Sequence, residues 1–171
     1  MNLFDGFPTL TAISALVVMA ASVSPGDQTF AQNAASSLMA EIHISQLAVD
    51  KASTPKVGDF GQRLVNDQTR IADQLETIAS RQAILLPSGI STQDQPSIDQ
   101  LAGISGLAFD RAFLTEMARR FQADIPTIEK EANGGDDPDL KSFAAKALPV
   151  LREQLQTARE MAASLGAAPT E

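Results

Sequence analysis

The 171-residue chain contains no cysteine, tryptophan or tyrosine, and it has a single histidine, His43. The absence of cysteine excludes disulfides, thiolate metal sites and a cysteine nucleophile. Positive charge is also scarce, since 13 basic residues against 21 acidic ones give a net charge of −8. This charge repels nucleic acid and anionic membranes, and the chain has no tryptophan or tyrosine to stack on bases. We therefore expect no nucleic-acid partner.

A hydrophobic run long enough to cross a membrane is missing too. The apolar run from Leu10 to Val23 has 14 residues, whereas a spanning helix needs about 20. Its length and the small residues Ala20-Ala21-Ser22 are typical of a signal peptide, although a positively charged start is missing. We predict that residues 1–24 are a signal peptide for export to the periplasm and that the mature chain has no membrane span. A short hydrophobic helix that stays attached to the protein or to a partner is the alternative.

An internal repeat is the clearest pattern in the rest of the chain. A shift of 83 positions pairs Phe30 with Phe113, Glu41 with Asp124, Pro55 with Pro138, Val57 with Leu140, and Phe60 with Phe143. Each copy of Pro-x-(Val/Leu)-x-x-Phe ends one stretch with helical apolar spacing and opens another. The unit is predicted to be a helix, a short turn and a second helix. Two such hairpins form a four-helix bundle, which keeps any chemistry at its inward positions.

Helix boundaries follow from prolines, glycines and capping residues. The predicted helices cover about 27–52, 55–81, 108–132 and 138–165. Asp27 is predicted to cap the first, and Ser97 to cap a short helix that ends at Ala102. The link between the second and third helices is long enough to travel the length of the bundle, as in ferritin-like folds, although an up-down-up-down path is also possible. The expected fold is an all-α bundle over residues 27–166, with a tail at 167–171.

Each predicted helix has an apolar stripe that should face the core. The stripes are Ala31, Ala34, Leu38, Ile42 and Val49; Val57, Phe60, Leu64, Ile71, Leu75 and Ile78; Phe113, Met117, Phe121, Ile125 and Ile128; and Leu140, Ala144, Ala147, Leu151, Leu155, Ala158, Ala162 and Leu165. His43 falls away from the first stripe and is predicted to face solvent. With no cysteine and an outward histidine, the sequence offers no nucleophilic triad.

A polar cluster is predicted at or beside these stripes. Gln68 lies inside its stripe, and the others lie at the margins: Glu41, Asp67, Asp124 and Gln154. A di-iron or di-manganese site requires Glu-x-x-His motifs, which the chain lacks. The carboxylates could form an all-oxygen site for calcium or magnesium, but carboxylates at a helix margin are more often a solvated rim. We therefore predict no catalytic, cofactor or metal site, and expect the cluster to be a hydrogen-bonded network.

An ordered set of short motifs connects the chain to a known family. They are Met39-Ala40-Glu41-Ile42, Val57-x-x-Phe60, Leu64-Val65-x-Asp67, Phe109-Asp110-x-x-Phe113, Leu140-Lys141-x-Phe143-Ala144 and Leu148-Pro149-x-Leu151-Arg152. With these motifs the chain resembles the bacterial domain-of-unknown-function family 4142, which is labelled as outer-membrane or periplasmic and has a ferritin-like helical bundle. The resemblance implies histidines in the second, third and fourth helices, where this chain has Gln68, Phe121 and Gln154. Two amides and a phenyl ring are poor replacements for imidazole ligands.

Three classes of function remain open from the sequence. The first is a non-catalytic periplasmic bundle that binds proteins, as an accessory or structural subunit of an envelope complex. The small subunit of a membrane-bound quinoprotein dehydrogenase is an example of such a role. The second is a ferritin-like metal-binding or stress-related protein with a degenerate site. The third is a homo-oligomeric bundle that uses Leu47 and Leu85-Leu86 as contact surfaces. We favour the first, with no cofactor and with protein partners.

Overall fold

The computed structural model describes residues 23–166, and its helices form two hairpins joined by a crossover. The elements are α1 (Pro25–Lys51), α2 (Pro55–Gln82), α3 (Gln95–Ala102), α4 (Gly106–Gly134) and α5 (Pro138–Ser164). The first hairpin is α1–α2, the second is α4–α5, and α3 lies in the crossover. The predicted all-α four-helix bundle with a short crossover helix is confirmed. Most of the predicted signal peptide and the predicted tail lie outside the described residues.

Contacts between helix ends define the path of the chain. Ser53, just after α1, donates its backbone N–H to Asp110 near the start of α4, at 2.9 Å. Gln82 at the end of α2 donates to Asp137 at the start of α5, at 2.7 Å. Helices α1 and α4 are therefore antiparallel, as are α2 and α5, and the crossover runs the full length of the bundle. This is the ferritin-like path, and it excludes the up-down-up-down alternative.

The repeat appears in the structure as two equivalent aromatic pairs. The rings of Phe30 and Phe143 meet edge to face, with centroids 6.4 Å apart and planes at 65°. Phe60 and Phe113 meet in the same way, at 6.3 Å and 66°. The 83-residue shift converts one pair into the other. The two hairpins therefore pack as near-equivalent halves, and edge-to-face contacts of this kind stabilise the core beyond the burial of area alone.

A second repeated feature joins the two hairpins at opposite ends of the bundle. Near the start of α1 and of α4, an aspartate accepts two backbone N–H bonds from the turn of the other hairpin. The bonds run from Asp136 and Asp137 to Asp27 at 3.2 and 2.8 Å, and from Ser53 and Thr54 to Asp110 at 2.9 and 2.9 Å. We call these contacts the Asp27 clamp and the Asp110 clamp. We call the end of the bundle with the Asp27 clamp the Asp137 end, and the end with the Asp110 clamp the Thr54 end.

Two predicted helix caps are wrong. Asp27 is not the cap of α1, because Ser24 precedes the helix and its hydroxyl accepts the N–H of Asp27 at 3.1 Å. Ser97 does not cap α3 either, since Asp94 is the residue that precedes the helix and the Ser97 hydroxyl donates to its carbonyl at 3.0 Å. In both helices a proline occupies the first turn, where it is favoured, and so the helix begins earlier than predicted.

The predicted stripes are largely confirmed, with a rotation of the first helix. All six stripe residues of α2 are buried, and His43 is exposed as predicted. In α1 the fully buried residues include Ala35, Ile44 and Ala48. Three predicted stripe residues are only half-buried, namely Ala34, Ile42 and Val49. The buried face of α1, which packs against both α2 and α4, is therefore rotated relative to the predicted stripe.

Candidate functional site

A cavity of about 100 Å³ lies between the two hairpins. Its apolar wall contains Phe30, Leu38, Ile71, Phe143, Ala147 and Leu151. Its polar wall contains Glu41, Gln68 and Asp124, three of the five residues in the predicted cluster. The exposed side chains of Asn33 and Thr127 also line it, so the cavity reaches the surface between α1 and α4.

Glu41 and Asp124 are repeat equivalents that lie side by side in this cavity. Glu41 is only 2% exposed, although the sequence predicted it at the margin. It is enclosed because α1 contacts two neighbouring helices. Burial raises the pKa of Glu41 well above its ordinary value of 4.5, and the charge of Asp124 and a hydrogen bond with it raise it further, while Arg120 acts in the opposite direction. Asp124 accepts a hydrogen bond from the Ser37 hydroxyl at 2.6 Å.

The two amides of the predicted cluster form a short chain behind the cavity. Nε2 of Gln68 donates to Oε1 of Gln154 at 3.2 Å, and Nε2 of Gln154 donates to Asp67 at 3.4 Å. Gln154 is 4% exposed, so it faces inward as predicted and is buried more deeply than its place at the margin of the stripe indicated. Asp67 is half-buried and also accepts a bond from Arg70 at 3.0 Å. The structure therefore places Glu41, Gln68 and Asp124 on the cavity, with Gln154 and Asp67 supporting Gln68.

The residues of this centre are a poor match for a metal site. Within residues 23–166, no group of three or more His, Cys, Asp or Glu side chains is placed to hold a metal ion. Phe121, at one of the positions where the family resemblance implies histidine, is fully buried in the core. The exposed His43 does not supply a replacement ligand, because it lies on the opposite face of α1 from Glu41. The arrangement is one of hydrogen-bond acceptors in an apolar surrounding.

A second buried carboxylate with a raised pKa, Glu131, was not predicted from the sequence. It lies beside Asp27 at the Asp137 end, and its Oε1 has no hydrogen-bond partner. Burial raises the pKa of Glu131 to about 7, and the charge of Asp27 and a hydrogen bond with it contribute next. The repeat equivalent of Glu131 at the Thr54 end is Ala48. There, burial alone would raise the pKa of Asp110, but hydrogen bonds from the α1–α2 turn outweigh it and lower the pKa.

A buried arginine attaches the crossover to α4. Arg120 is 5% exposed and forms ion pairs with Asp94 and Glu116, each at 2.8 Å. It also donates to the Ser97 hydroxyl at 2.9 Å. A buried charge needs such partners, because removing it from water is costly. Sequence reasoning missed this network because two of its members lie more than 20 positions from Arg120 and no helical spacing connects them.

An open groove of about 460 Å³ lies on the first hairpin, next to the start of the crossover. Its apolar lining includes Ala35, Met39, Ala72, Leu75, Ala79 and Ile84. Leu85, at the edge, is 83% exposed and is one of two large hydrophobic residues exposed in the described part of the chain. The backbone of Leu85 is held in place, because Gln32 of α1 donates to its carbonyl at 3.0 Å. We call this surface the Leu85 groove.

On the second hairpin, the positions equivalent to Met39 and Glu76 carry a hydrogen-bonded polar pair. Met39 corresponds to Gln122, and Glu76 at the groove edge corresponds to Arg159. Arg159 donates to the Gln122 side chain at 2.6 Å and so connects α4 to α5 across this surface. The two hairpins therefore differ here, with an apolar methionine on the first and a polar pair on the second.

Comparison with known proteins agrees with the fold. The sequence profile of the family described as "Domain of unknown function (DUF4142)" matches residues 14–161, and the chain belongs to this family. The predicted family is thus confirmed. A crystal structure of a DUF305 fragment from Deinococcus radiodurans is similar, with a TM-score of 0.73, 16% identity, and coverage of 84% of this chain and 97% of that chain. At this identity the likeness shows a shared fold alone. No curated protein matches the chain.

Proposed function

We propose that this member of the DUF4142 family is an exported, non-catalytic helical bundle that acts by binding a protein partner. Its role would be that of an accessory or structural subunit of an envelope complex, for example the small subunit of a membrane-bound quinoprotein dehydrogenase. The observation that carries the proposal is the Leu85 groove. An apolar groove lies open on the first hairpin, and on the second a polar pair occupies the positions equivalent to two of its lining residues.

The shape and charge of the groove suggest the chemistry of the partner. It runs along α1 and α2, so it suits the apolar face of an amphipathic helix. Glu76 lies at its edge and the whole chain carries a net charge of −8, which favours a partner helix with basic flanks. Leu85 would be the anchor, because burying a leucine side chain contributes about 1.5–3 kcal/mol.

Export to the periplasm is part of the proposal and rests on the composition of the apolar run from Leu10 to Val23. In the described part of the chain, no helix combines the length and apolar character needed to cross a membrane. N-terminal sequencing of protein from native cells tests the export step. A mature chain that starts near Val23 supports it, and a retained Met1 contradicts it.

Binding through the groove can be tested by purifying the protein from native envelopes in mild detergent, followed by size-exclusion chromatography with light scattering. The wild type should elute with a stoichiometric protein partner, and Leu85→Glu should elute alone as a monomer. Leu107→Glu is the matched control, because Leu107 is 51% exposed but lies at the start of α4, at the Thr54 end. It should retain the partner. Wild-type protein that elutes only as a monomer or a homo-oligomer, or a Leu85→Glu variant that keeps its partner, would contradict the proposal.

A further inference from the structure

Two buried oxygen atoms of residues that line the central cavity have no hydrogen-bond partner in the protein. Oε1 of Glu41 and Oε1 of Gln68 both lack a hydrogen-bond partner, and both residues line the cavity. Their exposures are 2% and 0%. Nε2 of Gln68 is already bonded to Gln154, so its free atom is an acceptor. Buried polar atoms normally find partners, and this arrangement therefore favours a bound group that brings hydrogen-bond donors.

The same part of the cavity carries negative charge. Asp124 lies beside Glu41, and the nearby hydroxyl of Ser37 already donates to Asp124. We propose that the cavity binds a small organic ammonium ion, whose N–H groups donate to Glu41, Gln68 and Asp124 and whose alkyl group contacts the apolar wall. A bound cation would offset the cost of keeping the buried Glu41 carboxylate ionised, a cost that is visible in its raised pKa.

The size of the cavity limits the ligand. A cavity of roughly 150 Å³ in another protein holds benzene, and this one measures about 100 Å³. A primary amine with a short alkyl chain, such as n-propylammonium, is of suitable size. The rings of Phe30 and Phe143 and the side chain of Ile71 form an apolar wall for the alkyl group. A fully polar ion would leave this wall unused.

An ammonium ion also matches the donor and acceptor count better than a metal ion does. A primary ammonium has three N–H donors, and two carboxylates and one amide oxygen face the cavity. Calcium and magnesium take about six or more oxygen ligands. Among the described residues no set of three or more acidic, histidine or cysteine side chains is positioned for a metal. The number of oxygen atoms at the cavity therefore favours an ammonium ion over a metal ion.

The test is a titration of ¹⁵N-labelled protein with n-propylammonium chloride at neutral pH and constant ionic strength, followed by NMR. Saturable shifts are expected around Glu41, Gln68 and Asp124. 1-Propanol has the same size without the charge and should bind at least about tenfold more weakly. Glu41→Gln should weaken ammonium binding by about tenfold or more. Leu85→Glu should bind the amine as tightly as the wild type does. The amine site and the partner groove are therefore tested independently of each other.

Three results would overturn the proposal. The first is the absence of saturable shifts up to about 50 mM amine, an affinity too weak for a site of this chemistry; the cavity would then hold only water. The second is equal binding of propanol and the amine. The third is unchanged amine affinity in Glu41→Gln. If Glu41→Gln does not fold by circular dichroism, Asp124→Asn replaces it, because Asp124 is half-buried, and the same loss of amine affinity is expected.

Discussion

The two hairpins share one frame and differ at the Leu85 groove and beside the aspartate clamps. The Phe30–Phe143 and Phe60–Phe113 pairs are repeated almost without change, as are the aspartate clamps at the two ends. The differences are local: Glu131 occurs where the other hairpin's equivalent position has Ala48. Residues that the fold requires are thus repeated, and residues that have diverged are the better candidates for function.

The largest predicted effect is on the free energy of unfolding, and it differs between variants of the two clamps. Asp110 accepts four hydrogen bonds, two from backbone N–H groups and two from the hydroxyls of Ser53 and Thr54. Asp110→Asn should lower the free energy of unfolding by about 3 kcal/mol. Asp27→Asn should cost about half of that, because Asp27 accepts two turn bonds and its loss removes repulsion with Glu131. Urea unfolding at neutral pH measures both, and equal losses would contradict the difference between the clamps.

A close approach within the first hairpin gives the next prediction. A Cβ atom on Gly61 would lie 2.8 Å from Cβ of Ala48 and 3.0 Å from the carbonyl oxygen of Ser45. Gly61→Ala should therefore destabilise the protein by about 2 kcal/mol through overpacking. The equivalent position in the second hairpin is Ala144, and Ala144→Gly should cost about 1 kcal/mol through helix propensity. Thermal unfolding compares the two, and a neutral Gly61→Ala would show that the hairpins are equally tightly packed.

Glu131 is expected to make the stability of the protein depend on pH. Its pKa of about 7 in the folded protein exceeds the ordinary value of 4.5, so the folded state binds more protons between these values. Wild-type stability should therefore fall as pH rises from about 4.5 to about 7. Glu131→Gln lacks this loss and should be more stable than the wild type by about 2 kcal/mol at pH of about 8, with little difference near pH 4. Parallel curves for the two proteins would show that Glu131 titrates normally.

The smallest predicted effect on stability concerns a residue just after the second helix of each hairpin. Ala83 after α2 and its repeat equivalent Gly166 after α5 both have positive φ, 55° and 69°. A left-handed conformation costs a non-glycine residue about 1 kcal/mol, whereas glycine adopts it freely. Ala83→Gly should therefore stabilise the protein by about 0.5 kcal/mol, after allowing for the greater freedom of glycine in the unfolded chain. Gly166→Ala should destabilise it, and a loss of stability in Ala83→Gly would contradict this interpretation.

The sequence predicted the bundle because each helix has a clear apolar period and both turns carry the same proline motif. Gln68 was predicted correctly because it lies in the middle of a strong stripe. The burial of Glu41 and Gln154 was not predictable in the same way, since a margin position becomes core or rim according to which neighbouring helix covers it. The clamps had a signal that went unused: the 83-residue shift pairs Asp27 with Asp110.

The Arg120 network and the Leu85 groove depend on how the crossover crosses the bundle. Asp94 reaches Arg120 from 26 positions away, and no periodic pattern connects them. The groove likewise brings Leu85, at the start of the crossover, together with Met39 of α1 in one lining. The sequence indicated Leu85-Leu86 as a contact surface, but patterns within one helix carry no information on the groove beside it, which had to come from the structure.

Site-specific photo-cross-linking tests the functional difference between the hairpins most directly. A photoreactive residue replaces Met39 in the groove or its repeat equivalent Gln122, and cells that express each variant are irradiated. Position 39 should give one heavier adduct that contains a partner peptide with an apolar face and basic flanks, and position 122 should give none. Adducts of equal yield at both positions, or an adduct at 39 that contains only a second copy of this chain, would contradict a partner site specific to the Leu85 groove.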